Sequence, residues 1–164
     1  MTRPEPDRPD AAAMPVLRVA LEREILARIP LARAMGLSLG ACDGVSLTCS
    51  APLAPNINDK GCAFGGSLTS LMTLAGWGLV RLALDARAIA CDVYVQDSAI
   101  RYLAPVWQDF DAVARLAPGE SFAELADALA ARGKARLRVH CVVPLADGRD
   151  AATLDARFVA LARP

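Results

Sequence analysis

The run from Leu68 to Leu84, LTSLMTLAGWGLVRLAL, limits the fold more than any other part of the chain. Its apolar side chains recur on nearly every face of a helix rather than along one stripe, so a helix here has to be covered on most sides. Gly76, Gly78 and Arg81 interrupt the run, which reads as a core helix and not as a bilayer span.

The flanking segments supply the cover. Val16, Leu17, Ala20, Leu21, Ile25 and Leu26 recur at helical spacing, which predicts an amphipathic helix over Val16–Ile29 that ends near Pro30. GLSLGA and VSLTCSA flank Cys42-Asp43-Gly44, where Asp-Gly suits a tight hairpin. CDVYVQDSAIRYLAPVW and QDFDAVARLA read as long strands, with Pro105 marking a bend between them. SFAELADALAARG predicts a short helix capped by Ser121, with Glu124 completing a capping-box pattern. KARLRVHCVVPL alternates charged and apolar residues and turns at Asp147-Gly148 into DAATLDARFVALA, a terminal hairpin. The layout is α+β: one long helix wrapped by an antiparallel sheet. Its edge strands would lie exposed in a monomer, so pairing of two copies is expected.

A chain of 164 residues is large enough for one core. We expect a disordered tail over residues 1–12, rich in Pro, Asp and Arg, and a single domain over residues 13–164. Basic and acidic residues balance at 18 each, so neither nucleic acid nor a membrane is expected as a partner. Five cysteines lack CxxC spacing and no metal-binding cluster accompanies them, which favours free thiols in a reducing compartment. With no signal-peptide-like stretch at the N-terminus, a cytoplasmic location is expected.

The candidate site is NINDKGCAFGGSL, from Asn56 to Leu68, just ahead of the apolar run. Gly65-Gly66 stands where a loop meets the helix. The first turn of a helix leaves N–H groups without intrahelical partners, and glycine lets a ligand approach them. Two readings stand here: an oxyanion hole, or a glycine-rich helix start needed only for close packing. Asn56 and Asn58 add neutral amide donors, though asparagine also suits turns for its own reasons. Asp59 and Lys60 are expected to face solvent. The single histidine, His140, falls with arginines on a polar strand face. Cys62 has no nearby base in sequence and reads as a packing residue. Met72, Leu71 and Trp77 read as core. The group Arg132, Lys134, Arg136 and Arg138 reads as a solvated face that an acidic carrier protein could also use.

The spacing Asn58-x-x-Gly61-x-x-Phe64-Gly65-Gly66 resembles the N-x-x-G-x-x-H-G-G signature of hot-dog-fold thioesterases of the phenylacetate-degradation type, with phenylalanine in the histidine's place. More closely, SAPLAPNINDKGCAFGGSLTSLMTLAGWGL and VQDSAIRYLAPV resemble a hot-dog family of thioesterase-like proteins that also forms the C-terminal domain of some acetyltransferase fusions. Members of that family are associated with decarboxylation of malonyl-acyl carrier protein. The resemblance covers about Ile29 to the C-terminus. It implies a hot-dog dimer, possible pairing into tetramers, and no cofactor beyond the phosphopantetheine thioester of a substrate on acyl carrier protein or coenzyme A. Related hydrolases place a carboxylate on the central helix nine residues after the motif histidine; here that position is Thr73, which cannot act as a base at neutral pH. The resemblance therefore implies Asn58 and the Gly66 backbone as the catalytic donors, with Asn56, Phe64, Gly65, Thr73 and Asp97 around the substrate. For Asp97, pairing with Arg101 is the competing expectation. The implied activity is decarboxylation of malonyl-acyl carrier protein to acetyl-acyl carrier protein, which supports initiation of fatty-acid synthesis. The alternatives are an acyl thioesterase that draws its base from outside the helix, and a non-catalytic acyl-thioester binding dimer.

Overall fold

In a computed structural model, residues 13–163 are described, and the tail expected over residues 1–12 lies outside them. The chain begins with helices α1 (Met14–Arg28) and α2 (Pro30–Ala34). Pro30 does more than end α1. It opens α2, because proline in a first turn gives up an N–H that has no helical acceptor anyway.

Strands β1 (Ser38–Cys42) and β2 (Ser46–Ala51) form the expected hairpin. Gly44 takes φ 88° in the turn, and Asp43 Oδ1 accepts from the N–H groups of Val45 and Ser46. Partial burial pushes the Asp43 carboxyl up, but these donors and the Ser46 hydroxyl outweigh it and hold the group below its ordinary value. The hairpin is latched to α1 at one point: the Leu39 N–H donates to Glu22 (2.6 Å), and the Arg18 guanidinium donates to the Leu39 carbonyl.

Helix α3 (Gly65–Asp85) is the predicted core helix, begun three residues before Leu68 so that both glycines are helical. Leu68, Leu71, Met72, Ala75, Leu79 and Leu82 are buried. Close approach to the sheet depends on Gly76, where an added Cβ would stand 2.9 Å from the Phe158 ring and 3.3 Å from the Cys141 sulfur. Among the described residues α3 is the one helix long and apolar enough to cross a membrane, and 61% of its most apolar window is buried inside the protein, the pattern of a core helix.

Strand β3 (Cys91–Tyr102), strand β4 (Phe110–Leu116), helix α4 (Phe122–Arg132), strand β5 (Lys134–Pro144) and strand β6 (Asp150–Ala162) complete the chain. β3 stops at Tyr102, short of the LAPVW residues expected to continue it. Ser121 caps α4 by accepting from the Glu124 N–H. One antiparallel sheet runs in the order β1-β2-β4-β5-β6-β3. It wraps α3 with its alternating apolar face, Leu137, Val139, Cys141, Leu154 and Phe158 inward, and this is the hot-dog fold.

β3 lies at the sheet edge, and its register slips between Val95 and Asp97, leaving Gln96 as an extra residue. A one-residue bulge exchanges the two faces of everything beyond it. Before it, Val93 and Val95 pair with inward Ala160 and Phe158; after it, Ser98, Ile100 and Tyr102 pair with inward Ala156, Leu154 and Ala152. The bulge thus turns Asp97 outward and Tyr102 toward α3.

Candidate active site

The loop between β2 and α3 is built by its asparagines. Asn56, only 2% exposed, donates to the carbonyls of Met35 (2.9 Å) and Pro52 (2.7 Å), which ties the end of α2 to the loop. Its Oδ1 is buried without a hydrogen-bond partner among the described residues. Its backbone carbonyl accepts from the Phe64 N–H at 2.7 Å and sets where the helix begins.

Asn58 closes a tighter turn inside this one. Its N–H donates to the Cys62 carbonyl (2.8 Å), its Oδ1 accepts from the Lys60 N–H (2.9 Å), and its Nδ2 donates to the Cys62 sulfur (3.2 Å). Gly61 permits the turn at φ 86°. The carboxamide is half-buried and held on both sides, with one amide hydrogen left without an acceptor among the described residues. Cys62 is buried and serves as packing and as this acceptor. Asp59 and Lys60 are exposed and pair with each other at 2.8 Å.

At the mouth of α3, Phe64 occupies the capping position and offers no side-chain acceptor. Ser67 and Leu68 turn their N–H groups to the Phe64 carbonyl, and the N–H groups of Gly65 and Gly66 remain ahead of the helical ladder. Two aromatic rings bracket these glycines. Phe64 folds back so far that a Cβ on Gly66 would stand 2.3 Å from its ring, and the Tyr102 ring lies 3.3 Å from where a Cβ on Gly65 would be. Position 66 can hold only glycine with the ring in place.

Beside the mouth lies an open cleft of about 380 Å³, lined by Ala63, Gly65, Leu68, Tyr102, Leu103, Ala104 and Pro105. The side chains lining it are apolar except for the Tyr102 hydroxyl, with exposed Phe64, Leu103 and Trp107 in the segments that flank it. The loop carrying Trp107 is fixed by the Ala63 N–H to the Val106 carbonyl (2.8 Å) and by the Leu53 N–H to Asp109 (2.8 Å). A second cavity, about 340 Å³, lies around outward-facing Asp97, Arg138, Asp155 and Arg157. It is a charged hollow away from the mouth.

Two residues at the mouth were not singled out from sequence. Thr69 Oγ1 donates to the Gly65 carbonyl (2.9 Å) and lies 2.6 Å from the Tyr102 hydroxyl, itself 3.2 Å from the same carbonyl. They are 33 residues apart in the chain. Alternation places Tyr102 with Ile100, but only the bulge fixes which face that is.

The remaining candidates are dispersed. Thr73 lies on the half-buried stripe of α3 with Gly66, Thr69, Ser70 and Trp77, outside the cleft lining. Asp97 lies on the outer sheet face and pairs with Arg157 at 3.7 Å rather than with Arg101. Residues four apart on a strand share a face but are separated by about 13 Å. His140 is 2.7 Å from Asp155 Oδ1, on the same outer face. The charged residues of α3 are Arg81 and Asp85, and Asp85 lies about 30 Å along the helix from Gly65 at about 1.5 Å per residue. Neither can reach a substrate at the mouth.

Comparison with known proteins agrees with the fold. The family described as "Putative thioesterase (yiiD_Cterm)" matches residues 18–162. The crystal structure of the "putative thioesterase" from Shewanella oneidensis superposes with a TM-score of 0.80 at 32% identity, covering 90% of this chain and 99% of that one. A protein of unknown function from Chlorobaculum tepidum TLS gives 0.83 at 29% identity, with 95% and 98% covered. A "probable thioesterase" from Pseudomonas aeruginosa gives 0.75 at 22% identity, with 88% and 96% covered, and supports the fold alone.

Proposed function

The chain belongs to this thioesterase family of the hot-dog fold, and we propose that within it the protein decarboxylates malonyl thioesters, converting malonyl-acyl carrier protein to acetyl-acyl carrier protein for the initiation of fatty-acid synthesis. One observation carries the reading. The mouth of α3 offers uncapped N–H donors beside an apolar cleft, while the helix that carries the base in related hydrolases presents Thr73 and no acid before Asp85.

Loss of CO2 from a malonyl thioester leaves an enolate, so the site has to hold the carboxylate out of the carbonyl plane and stabilise the carbonyl oxygen as charge moves onto it. The N–H groups of Gly65 and Gly66, at the positive end of the α3 dipole, suit that oxygen. Each well-aimed donor contributes about 3 kcal/mol in such settings. We assign the free amide hydrogen of Asn58, in the loop ahead of α3 and outside the cleft lining, as the second kind of donor, oriented by Lys60 and Cys62. The apolar walls disfavour the compact carboxylate relative to the delocalised enolate. A base poised to activate water would divert the substrate to hydrolysis, and among the described residues none lines the cleft. The substrate arrives on the phosphopantetheine of a carrier protein or of coenzyme A. The exposed β3 edge, with Tyr94 and Val95 uncovered, supports pairing of two copies in solution, with further pairing into tetramers as an extension. Five free cysteines support a reducing, cytoplasmic setting.

Mass spectrometry of malonyl-acyl carrier protein and malonyl-coenzyme A, before and after exposure to the wild type and to Asn58→Ala, tests the proposal. Loss of CO2 with the wild type and its suppression with the variant are expected. Hydrolysis, the activity the family description names, would instead release free thiol from malonyl and long-chain acyl thioesters alike.

A further inference from the structure

Decarboxylation has a second half, return of a proton to the α-carbon, and the cleft contains one side chain able to supply it. Of the residues lining it, Ala63, Gly65, Leu68, Leu103, Ala104 and Pro105 have no transferable side-chain proton; Tyr102 has a phenol. We propose that Tyr102 is the proton donor to the enolate, with Thr69 as its positioning residue. The inference rests on the decarboxylase reading above.

The placement follows from three contacts. The Tyr102 ring is packed over Gly65, the first residue of the donor pair. Its hydroxyl lies 2.6 Å from Thr69 Oγ1 and 3.2 Å from the Gly65 carbonyl, so the phenol is held at the rim of the mouth and not free to swing. A thioester oxygen resting on the Gly65 and Gly66 N–H groups puts the α-carbon two bonds away, inside the cleft that the phenol lines. The bulge at Gln96 is what turns this ring inward.

The step balances without a co-reactant beyond water. The bond between the α-carbon and the carboxylate breaks, CO2 leaves, and the electron pair is held as the enolate. As the thioester carbonyl reforms, the α-carbon takes the phenol proton and a new C–H bond is made. The phenolate that remains accepts a hydrogen bond from the Thr69 hydroxyl, which turns to it from the Gly65 carbonyl, and recovers its proton from solvent, to which Tyr102 is 57% exposed. One solvent proton is consumed per turnover.

Tyr102→Phe tests this, because the ring that packs on Gly65 is kept and only the hydroxyl is lost. With malonyl-coenzyme A as probe, CO2 release by the variant should fall about 100-fold in kcat, the lower range for a lost general acid, while KM stays within about threefold. Thr69→Val should lower kcat about tenfold by leaving the phenol unheld, and it serves as the test if Tyr102→Phe fails to fold. A wild type that releases CO2 alongside a Tyr102→Phe variant of equal kcat would overturn the proton-donor assignment and leave the decarboxylase reading intact. A change confined to KM would overturn it equally, assigning Tyr102 to binding. A wild type that releases no CO2 would sink the decarboxylase reading itself, and this inference with it.

Discussion

At its C-terminal end α3 hands its last carbonyls to partners: Leu82 to the Ala86 N–H, Ala83 to the Arg87 guanidinium, Leu84 to the Ile89 N–H. Arg81 adds ion pairs to Glu24 (3.3 Å) and Asp85 (3.5 Å) and lies over the Trp77 ring. At the N-terminal end the capping residue is a phenylalanine, the next two are glycines, and the surrounding walls are apolar and open. The same chain caps α4 with a serine, so capping is within its means. A helix start left without a cap beside a cleft is where a ligand oxygen can take the cap's place. One end of α3 closes the fold; the other is left open, and on our proposal it serves the chemistry.

Four changes break or sharpen that contrast. The largest effect is expected of Gly66→Ala, whose Cβ collides with the Phe64 ring at 2.3 Å. Because that ring is exposed and can swing aside, the fold should persist while turnover falls on the order of 100-fold or more through the crowded donor, read by kinetics beside circular dichroism. Gly76→Ala strikes the sealed part of the same helix, where the obstructing Phe158 ring is buried. A loss of about 2 kcal/mol in denaturant unfolding is expected from overpacking, with kcat unchanged. Thr73→Asp places a carboxylate on the half-buried stripe of α3, at the position related hydrolases use. Release of free thiol from malonyl-coenzyme A should rise about tenfold, an effect of about 1.4 kcal/mol.

The smallest effect is a pH dependence beneath Gly76. Burial first, and then the charge of Asp155, push the Cys141 thiol up from 9.0 to about 12. The folded state therefore keeps a proton that the unfolded chain loses. Stability from this thiol is complete below pH 9 and declines between there and about 12. Unfolding free energies measured across that interval should show the decline, and Cys141→Ala should lessen it, with the raised Cys49 thiol sustaining the remainder.

Much of the scaffold is legible in the sequence because it rests on local pattern: the all-round apolarity of α3, the alternation of β5 and β6, Asp-Gly at both hairpins and Ser121 ahead of α4. What is not legible depends on contacts between distant segments or on register. Pro30 looks like a terminator until a second short helix is seen to follow it. The two glycines read as the junction of loop and helix, and nothing local shows that the Phe64 N–H is drawn to Asn56 so that both fall inside the helix. Asn58 reads as a donor aimed at substrate, whereas closure of its turn commits most of its carboxamide to Lys60 and Cys62. Tyr102 passes unnoticed because a single extra residue at position 96 decides whether it faces the helix or the solvent, and Asp97 is turned outward by the same residue.

The central claim is that the α3 mouth stabilises an enolate and does not activate water. It is tested most directly by following CO2 and free thiol together from one malonyl thioester in a single reaction. The account predicts one CO2 for each acetyl thioester formed, with free thiol at the level of the enzyme-free control. Free thiol appearing at the rate of substrate loss, with no CO2, would contradict it.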